Sequence, residues 1–335
     1  MESLSTIERN FLGLQLTEVN LRELLSLQQI PCSIYGWSGD HFEVVIYYGD
    51  QADNRVMLGL IKKHGRLFVL REDLPAITKE LQNNLLHISR SVSQGDPEKK
   101  IKRHLNLLTV NMHHLYRADL DDHTLRIQFQ SARNLAQFLL DKPKLLKPIF
   151  HHYRQQMGHH YLYSQPILSS LALMGVLRES RQFTDKEIEN LFITSFFKDV
   201  GMSLISGHSL QDNHYQQNIF SDHPANSHDI LKDRVPLAGT FLSIIKNHHP
   251  FAPAILHDVN DPNHQESRDD QQQFIVGSET ALISAVDIIC AMISERPYRN
   301  QLTLLDALEE LKKVMQGRFP AEFRLLVSYF QKILK

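Results

Sequence analysis

The sequence predicts an α+β protein: a small N-terminal domain with an antiparallel meander and a helix, followed by an all-helical domain. Three observations carry this. Between about residues 31 and 71 the hydrophobic residues fall in short runs rich in Val, Ile, Tyr and Phe, separated by turn residues. From Pro97 onward only helical periodicity is found. Between the two, Ser93-Gln-Gly-Asp-Pro-Glu-Lys-Lys100 combines helix breakers with charge, which marks a boundary.

In chain order, Thr17 to Gln28 carries leucine and valine at helical spacing and reads as a short amphipathic helix. Pro31–Trp37, His41–Tyr48, Arg55–Lys62 and Arg66–Arg71 read as four strands, joined by Ser-Gly-Asp, Gly-Asp-Gln-Ala-Asp-Asn and Lys-His-Gly. A helix from Leu74 to Ser91 follows. Later helices are expected at Pro97–Arg117, Asp122–Leu140, Pro143–Gln156, Tyr161–Arg178, Asp185–Phe197, Pro224–Lys232, Leu237–Asn247, Glu279–Ile293, Thr303–Gln316 and Ala321–Leu334, with Asp or Pro at plausible starts. Pro250 to Gly277, rich in Asn, Asp, Gln and His, reads as a long polar loop, a lid or a disordered insertion. Residues 1–95 thus form the small α+β domain, 96–160 a helical linker or start of the helical domain, and 161–335 the helical domain proper.

Length and composition narrow the function. The 335 residues are 42% hydrophobic and 22% charged, with a formal charge of −2, so no global field attracts DNA, RNA or an acidic membrane surface. Cys32 and Cys290 are the two cysteines and form no CxxC pair, so they read as buried thiols of a reducing compartment. The N-terminus lacks the basic start and apolar run of a signal peptide, and no 18-residue apolar stretch occurs. The expected location is cytoplasmic. Histidine is plentiful at 19, with four adjacent pairs, of which His248-His249 is one.

Four segments in order carry the chemistry: Tyr161-Leu-Tyr-Ser-Gln165-Pro166, Phe-Lys198-Asp199-Val-Gly-Met202, Asp222-His223-Pro followed at a distance by His248-His249, and Ala285-Val-Asp287 leading to Arg296-Pro-Tyr-Arg299. This series resembles the HD-GYP domain proteins, bacterial enzymes that cleave cyclic di-GMP. Their naming motif is His-Asp-x-Gly-Lys, and their late helix ends in a nearly identical Arg-Pro-Tyr-Arg. The resemblance implies a dinuclear metal centre bridged by an aspartate. Carried over, one metal would see Asp199, His223, His248 and His249, a complete set. The other would need two histidines together with the bridging aspartate and Asp287. Here Gln165 and Lys198 stand at the histidine positions. A register using His159 or His160 as the first ligand is the alternative, and Lys198 departs from the pattern under either. Met202 replaces the motif lysine, no Gly-Tyr-Pro follows the histidine pair, and Arg296 and Arg299 fall where family members hold substrate phosphate.

A protonated lysine offers no lone pair to a metal, but its ammonium can sit between Asp199 and Asp287 in place of a cation. The resulting expectation is a degenerate HD-GYP-like signalling protein without catalysis. It would bind a protein partner or cyclic di-GMP and hold at most one divalent transition metal, Fe or Mn, or none. Homodimerisation through the helices before residue 156 is compatible with the sequence. The alternatives are a phosphodiesterase working with the reduced metal site, with Asp199 and the degenerate Lys198 position at its centre, and a metal-free helical interaction domain.

Overall fold

The computed structural model describes residues 15–51, 53–117, 120–155, 161–204, 216–251, 277–295 and 300–333. The chain forms two compact units that divide between His114 and Leu115.

The first unit contains β1 (Leu16–Val19), α1 (Leu21–Ser26), β2 (Ile34–Trp37), β3 (Phe42–Ile46), α2 (Asn54–His64), β4 (Leu67–Leu70), α3 (Leu74–Ser91) and most of α4 (Pro97–Arg117). The four strands form an antiparallel sheet in the order β1-β4-β2-β3. Its composition corrects two expectations. Arg55–Lys62 is helical, because Met57, Leu60, Ile61 and His64 are the inward-facing positions and recur at helical spacing. The ends agree with that: Asp53 Oδ1 accepts from the backbone N–H of Arg55 at 2.7 Å, and Gly65 closes the helix at φ +73°. The fourth strand comes instead from Leu16–Val19, part of which the sequence pattern places inside the first helix. Asn20 stops that strand and caps α1 through an Arg22 N–H bond of 2.9 Å. Gly36 in β2 lies under the His64 ring, which a β-carbon there would approach to 2.7 Å.

Where the sequence placed a boundary after residue 95, α4 is tied to the sheet unit almost to its end. Asn106 Nδ2 donates to Ser26 Oγ at 2.7 Å, and His113 Nδ1 lies 2.6 Å from Glu23 Oε1.

The second unit is helical: α5 (Asp122–Asp141), α6 (Leu146–Gln155), α7 (Tyr161–Ser180), α8 (Asp185–Phe197), α9 (Gln216–Leu231), α10 (Gly239–Lys246), α11 (Ser278–Met292), α12 (Leu304–Met315) and α13 (Pro320–Ile333). At its centre α7 packs on α8, with α5 against the far side of α8 and α11, α13 and α6 around α7. Both central helices are apolar on nearly every face, from Ile167 to Leu177 and from Leu191 to Phe197, as buried helices must be. Thr184 starts α8 with a reciprocal capping box, its own N–H donating to Glu187 Oε2 at 2.7 Å. Pro224, expected to open a helix, lies inside α9, which begins at Gln216. The long loop falls almost entirely on 252–276, outside the described residues. Both cysteines are buried and free, with burial pushing the Cys32 thiol up to about 12 and that of Cys290 up as well. Among the described residues no helix is long and apolar enough to cross a membrane.

Candidate metal centre

Because α8 is buried from Leu191 to its end, the residues at its C-terminus are delivered into the interior. Lys198 follows its last turn and is fully buried, and Asp199 comes next, before a 3₁₀ turn over Val200–Leu204. A buried ammonium needs anionic partners. The Lys198 Nζ has two: the Asp199 carboxylate through Oδ2, and Asp287 Oδ1 at 2.9 Å from α11. Burial opposes its charge, but Asp199 and then Asp287 more than offset this and raise its pKa. Gln165, on α7, completes this side. Its Nε2 donates to Asp287 Oδ1 at 3.1 Å and to the Asp287 carbonyl at 3.0 Å, while its Oε1 has no partner among the described residues.

The other carboxylate oxygen of Asp199 faces histidines. Oδ1 lies 3.1 Å from His248 Nε2 and 3.3 Å from His223 Nε2, and His249 Nε2 lies 3.0 Å from His223 Nε2. One ligand atom from each of Asp199, His223, His248 and His249 falls within 4.8 Å of all the others. His223 comes from α9, and His248 and His249 follow the end of α10. Gly201 allows this approach: its N–H donates to Ser227 Oγ at 2.8 Å, and a β-carbon there would run into the His223 carbonyl.

The electrostatics suit a cation. The His248 Nδ1 lies 2.6 Å from the Ile245 carbonyl, which assigns the proton to Nδ1 and leaves the Nε2 lone pair aimed inward in the neutral ring. Burial, outweighing its contacts with Asp199, lowers the His248 pKa. Burial, then the neighbouring His248 and His223, holds His249 well below the usual range. Burial works against the Asp199 anion, yet above all the Lys198 ammonium beside it holds the carboxyl well below ordinary aspartate. The neutral imidazoles of His248 and His249 and the ionised Asp199 carboxylate, with the His223 ring among them, form a donor set for one divalent transition ion. The Lys198 side does not fit a second ion, because an ammonium already occupies the space between its two carboxylates.

The structure therefore brings together Asp199, His223, His248 and His249, and separately Lys198 with Asp199 and Asp287. Asp287 is not part of the four-ligand cluster. Gln165 reaches Asp287 from the expected position, whereas His159 and His160 of the alternative register, and also Arg296 and Arg299, lie outside the described residues. Met202 is buried with Leu162 against Tyr116 and Tyr163, an apolar plug where the motif lysine would be. Sequence reasoning missed Tyr116, whose hydroxyl donates to the Asp199 carbonyl at 2.9 Å and whose pKa burial raises well above the usual phenol. Nothing in an amphipathic helix marks an aromatic residue for such a bond.

A helical domain whose core helix ends in an Asp facing three histidines defines a candidate single-metal centre. No known family profile matches the chain, and no curated protein is significantly similar to it in sequence. In fold it is similar to Bd1817, a HDG"Y"P protein from Bdellovibrio bacteriovorus, with a TM-score of 0.59 and 13% identity over 94% of this chain and 99% of that one. The fold is HD-GYP-like.

Proposed function

We propose that this chain is a degenerate HD-GYP-like signalling protein that holds one divalent transition metal, Fe or Mn, at Asp199, His223, His248 and His249 and does not hydrolyse. The observation behind this reading is the Lys198 ammonium between Asp199 and Asp287. An ammonium balances charge, but it has no empty orbital with which to coordinate and acidify a water as a second metal would, and this one is fully buried against its carboxylates. The retained metal would organise the His/Asp cluster. The output is recognition of a protein partner or of cyclic di-GMP, with Arg296 and Arg299 as the phosphate-binding candidates.

The four intact donors favour one second reading, a phosphodiesterase that works with a single metal. A Lewis acid at this cluster would polarise a phosphoryl oxygen, and Asp199 would then take part in catalysis.

A single preparation separates the two. Metal is measured by elemental analysis, and hydrolysis of cyclic di-GMP and of a generic phosphodiester is assayed with Mn or Fe added. The expected result is one metal per chain without turnover, and turnover that disappears in His248→Ala would overturn it. A Lys198→His/Gln165→His variant is expected to bind a second equivalent. If it gains none, Lys198 is not a substitute for a metal.

A further inference from the structure

A pocket lies in the same unit, at the other end of α7. It is open, has a volume of about 280 Å³ and is lined by α7, α13 and the start of α6. Its closest point on α7, Gly175, is ten residues beyond Gln165, or about 15 Å along the helix. The walls combine buried apolar side chains, Leu146 and Ile333, with the charged groups Lys147, Arg178, Glu179 and Lys332.

The charges do not cancel. Glu179 is already satisfied: Lys332 Nζ at 2.5 Å and Ser328 Oγ at 2.8 Å both donate to its Oε1. Lys147 donates to the neutral carbonyl of Lys332 at 2.7 Å, and no carboxylate among the described residues lies within ion-pair distance of it. Arg178 donates to the neutral Leu140 carbonyl at 3.4 Å, and its ion contact among the described residues is a long one, 3.9 Å, to the exposed Asp185. Two cations are thus in surplus on the pocket wall.

The third observation is Tyr329. Its hydroxyl is buried and has no partner among the described residues. It presses on Gly175, where a β-carbon would collide with it, so the helix is shaped to seat this side chain. A buried phenol without an acceptor is unfavourable unless something else supplies one.

We infer that this pocket binds a small organic anion, a carboxylate carrying a short aliphatic tail. Lys147 and Arg178 meet the carboxylate, Tyr329 donates to it, and the tail lies on Leu146 and Ile333. The volume equals the share of roughly nine water molecules, which suits a ligand of this size and is too small for a dinucleotide. The inference does not depend on the metal centre.

The test is calorimetric titration of the full chain with hexanoate, with inorganic phosphate and hexanamide as the other arms. Hexanoate is expected to bind saturably at one site, and more tightly than either. Lys147→Met and Tyr329→Phe are each expected to weaken it about fivefold to tenfold. Tyr329→Phe also removes an orphaned hydroxyl, so its unliganded melting temperature should equal or exceed the parent's, which separates lost binding from lost folding. His248→Ala should leave hexanoate binding unchanged. Absence of saturable binding, or unchanged affinity in both pocket variants, overturns the site. Phosphate binding as tightly as hexanoate overturns the organic ligand.

Discussion

On one side of Asp199, Oδ1 meets the Nε2 atoms of His223 and His248, with His249 behind them; on the other, Oδ2 meets the Lys198 ammonium. The same carboxylate thus faces a set of nitrogen lone pairs on one side and a cation built into the chain on the other. The difference teaches how two carboxylates that converge in the interior can be neutralised from within the chain, with no bound ion on that side. Removing a buried cation outright would leave Asp199 and Asp287 facing each other uncompensated, whereas a lysine at the end of α8 restores neutrality from within the chain.

The comparison breaks most severely at Lys198. Lys198→Met leaves two buried carboxylates without their cation and is expected to cost about 3–5 kcal/mol in urea denaturation at pH 7. Adding Asp287→Asn should recover part of that, a coupling of about 1–3 kcal/mol in the double-mutant cycle. If the single variant is as stable as the parent, the ammonium is not what holds that side together.

The histidine side should respond differently. His248→Ala removes a direct ligand, so metal affinity should fall by at least about 100-fold in chelator competition, since even supporting residues around a metal typically contribute 10- to 100-fold. Metal-free stability should change much less than in Lys198→Met. Gly201→Ala should disturb both sides at once, because the new methyl meets the His223 carbonyl. A loss of about 1–3 kcal/mol, together with weaker metal binding, is the expected outcome in thermal melts and chelator competition.

Much of this was legible in the sequence where local chemistry and tertiary demand agree. Helices α3 and α8 begin and end where the sequence expected, and in α8 the Thr184 capping box reinforces the apolar pattern. Asp199, His223, His248 and His249 could be grouped because each falls in a segment whose order is recognisable. In Arg55–Lys62, by contrast, the β-branched and apolar content suggests a strand, whereas the spacing of Met57, Leu60, Ile61 and His64 and the end signals Asp53 and Gly65 belong to a helix. Tyr116 was illegible for another reason. Its bond to the Asp199 carbonyl exists only once α4 and the end of α8 come together, and no local pattern encodes that.

The smallest expected effect asks whether complete burial is what makes Lys198 critical, and α8 carries its own control. Glu189, two turns earlier on the same helix, is also a charged group in a mostly buried position. Its Oε1 accepts from Arg133 Nε at 2.7 Å and Lys186 Nζ at 2.8 Å, and its Oε2 accepts from Gln137 Nε2 at 3.0 Å. Its partners reach solvent more fully than those of Lys198: the Lys186 side chain is 59% exposed, against 17% for Asp199 and 15% for Asp287. Burial alone would raise the Glu189 pKa, but the bonds from Lys186 and Gln137 and the charge of Arg133 hold it below ordinary glutamate. A carboxylate with a depressed folded pKa stabilises above its unfolded value and loses that contribution as pH falls through the folded one. Glu189→Gln should therefore cost about 1–2 kcal/mol at pH 7, the range for a charge-assisted bond whose partners can turn to water. The gap between variant and parent should narrow below about pH 4.3, where the unfolded glutamate begins to protonate. A cost equal to that of Lys198→Met would mean that solvent access does not distinguish the two clusters, and a gap constant down to pH 3 would mean that the Glu189 charge is not what its partners hold.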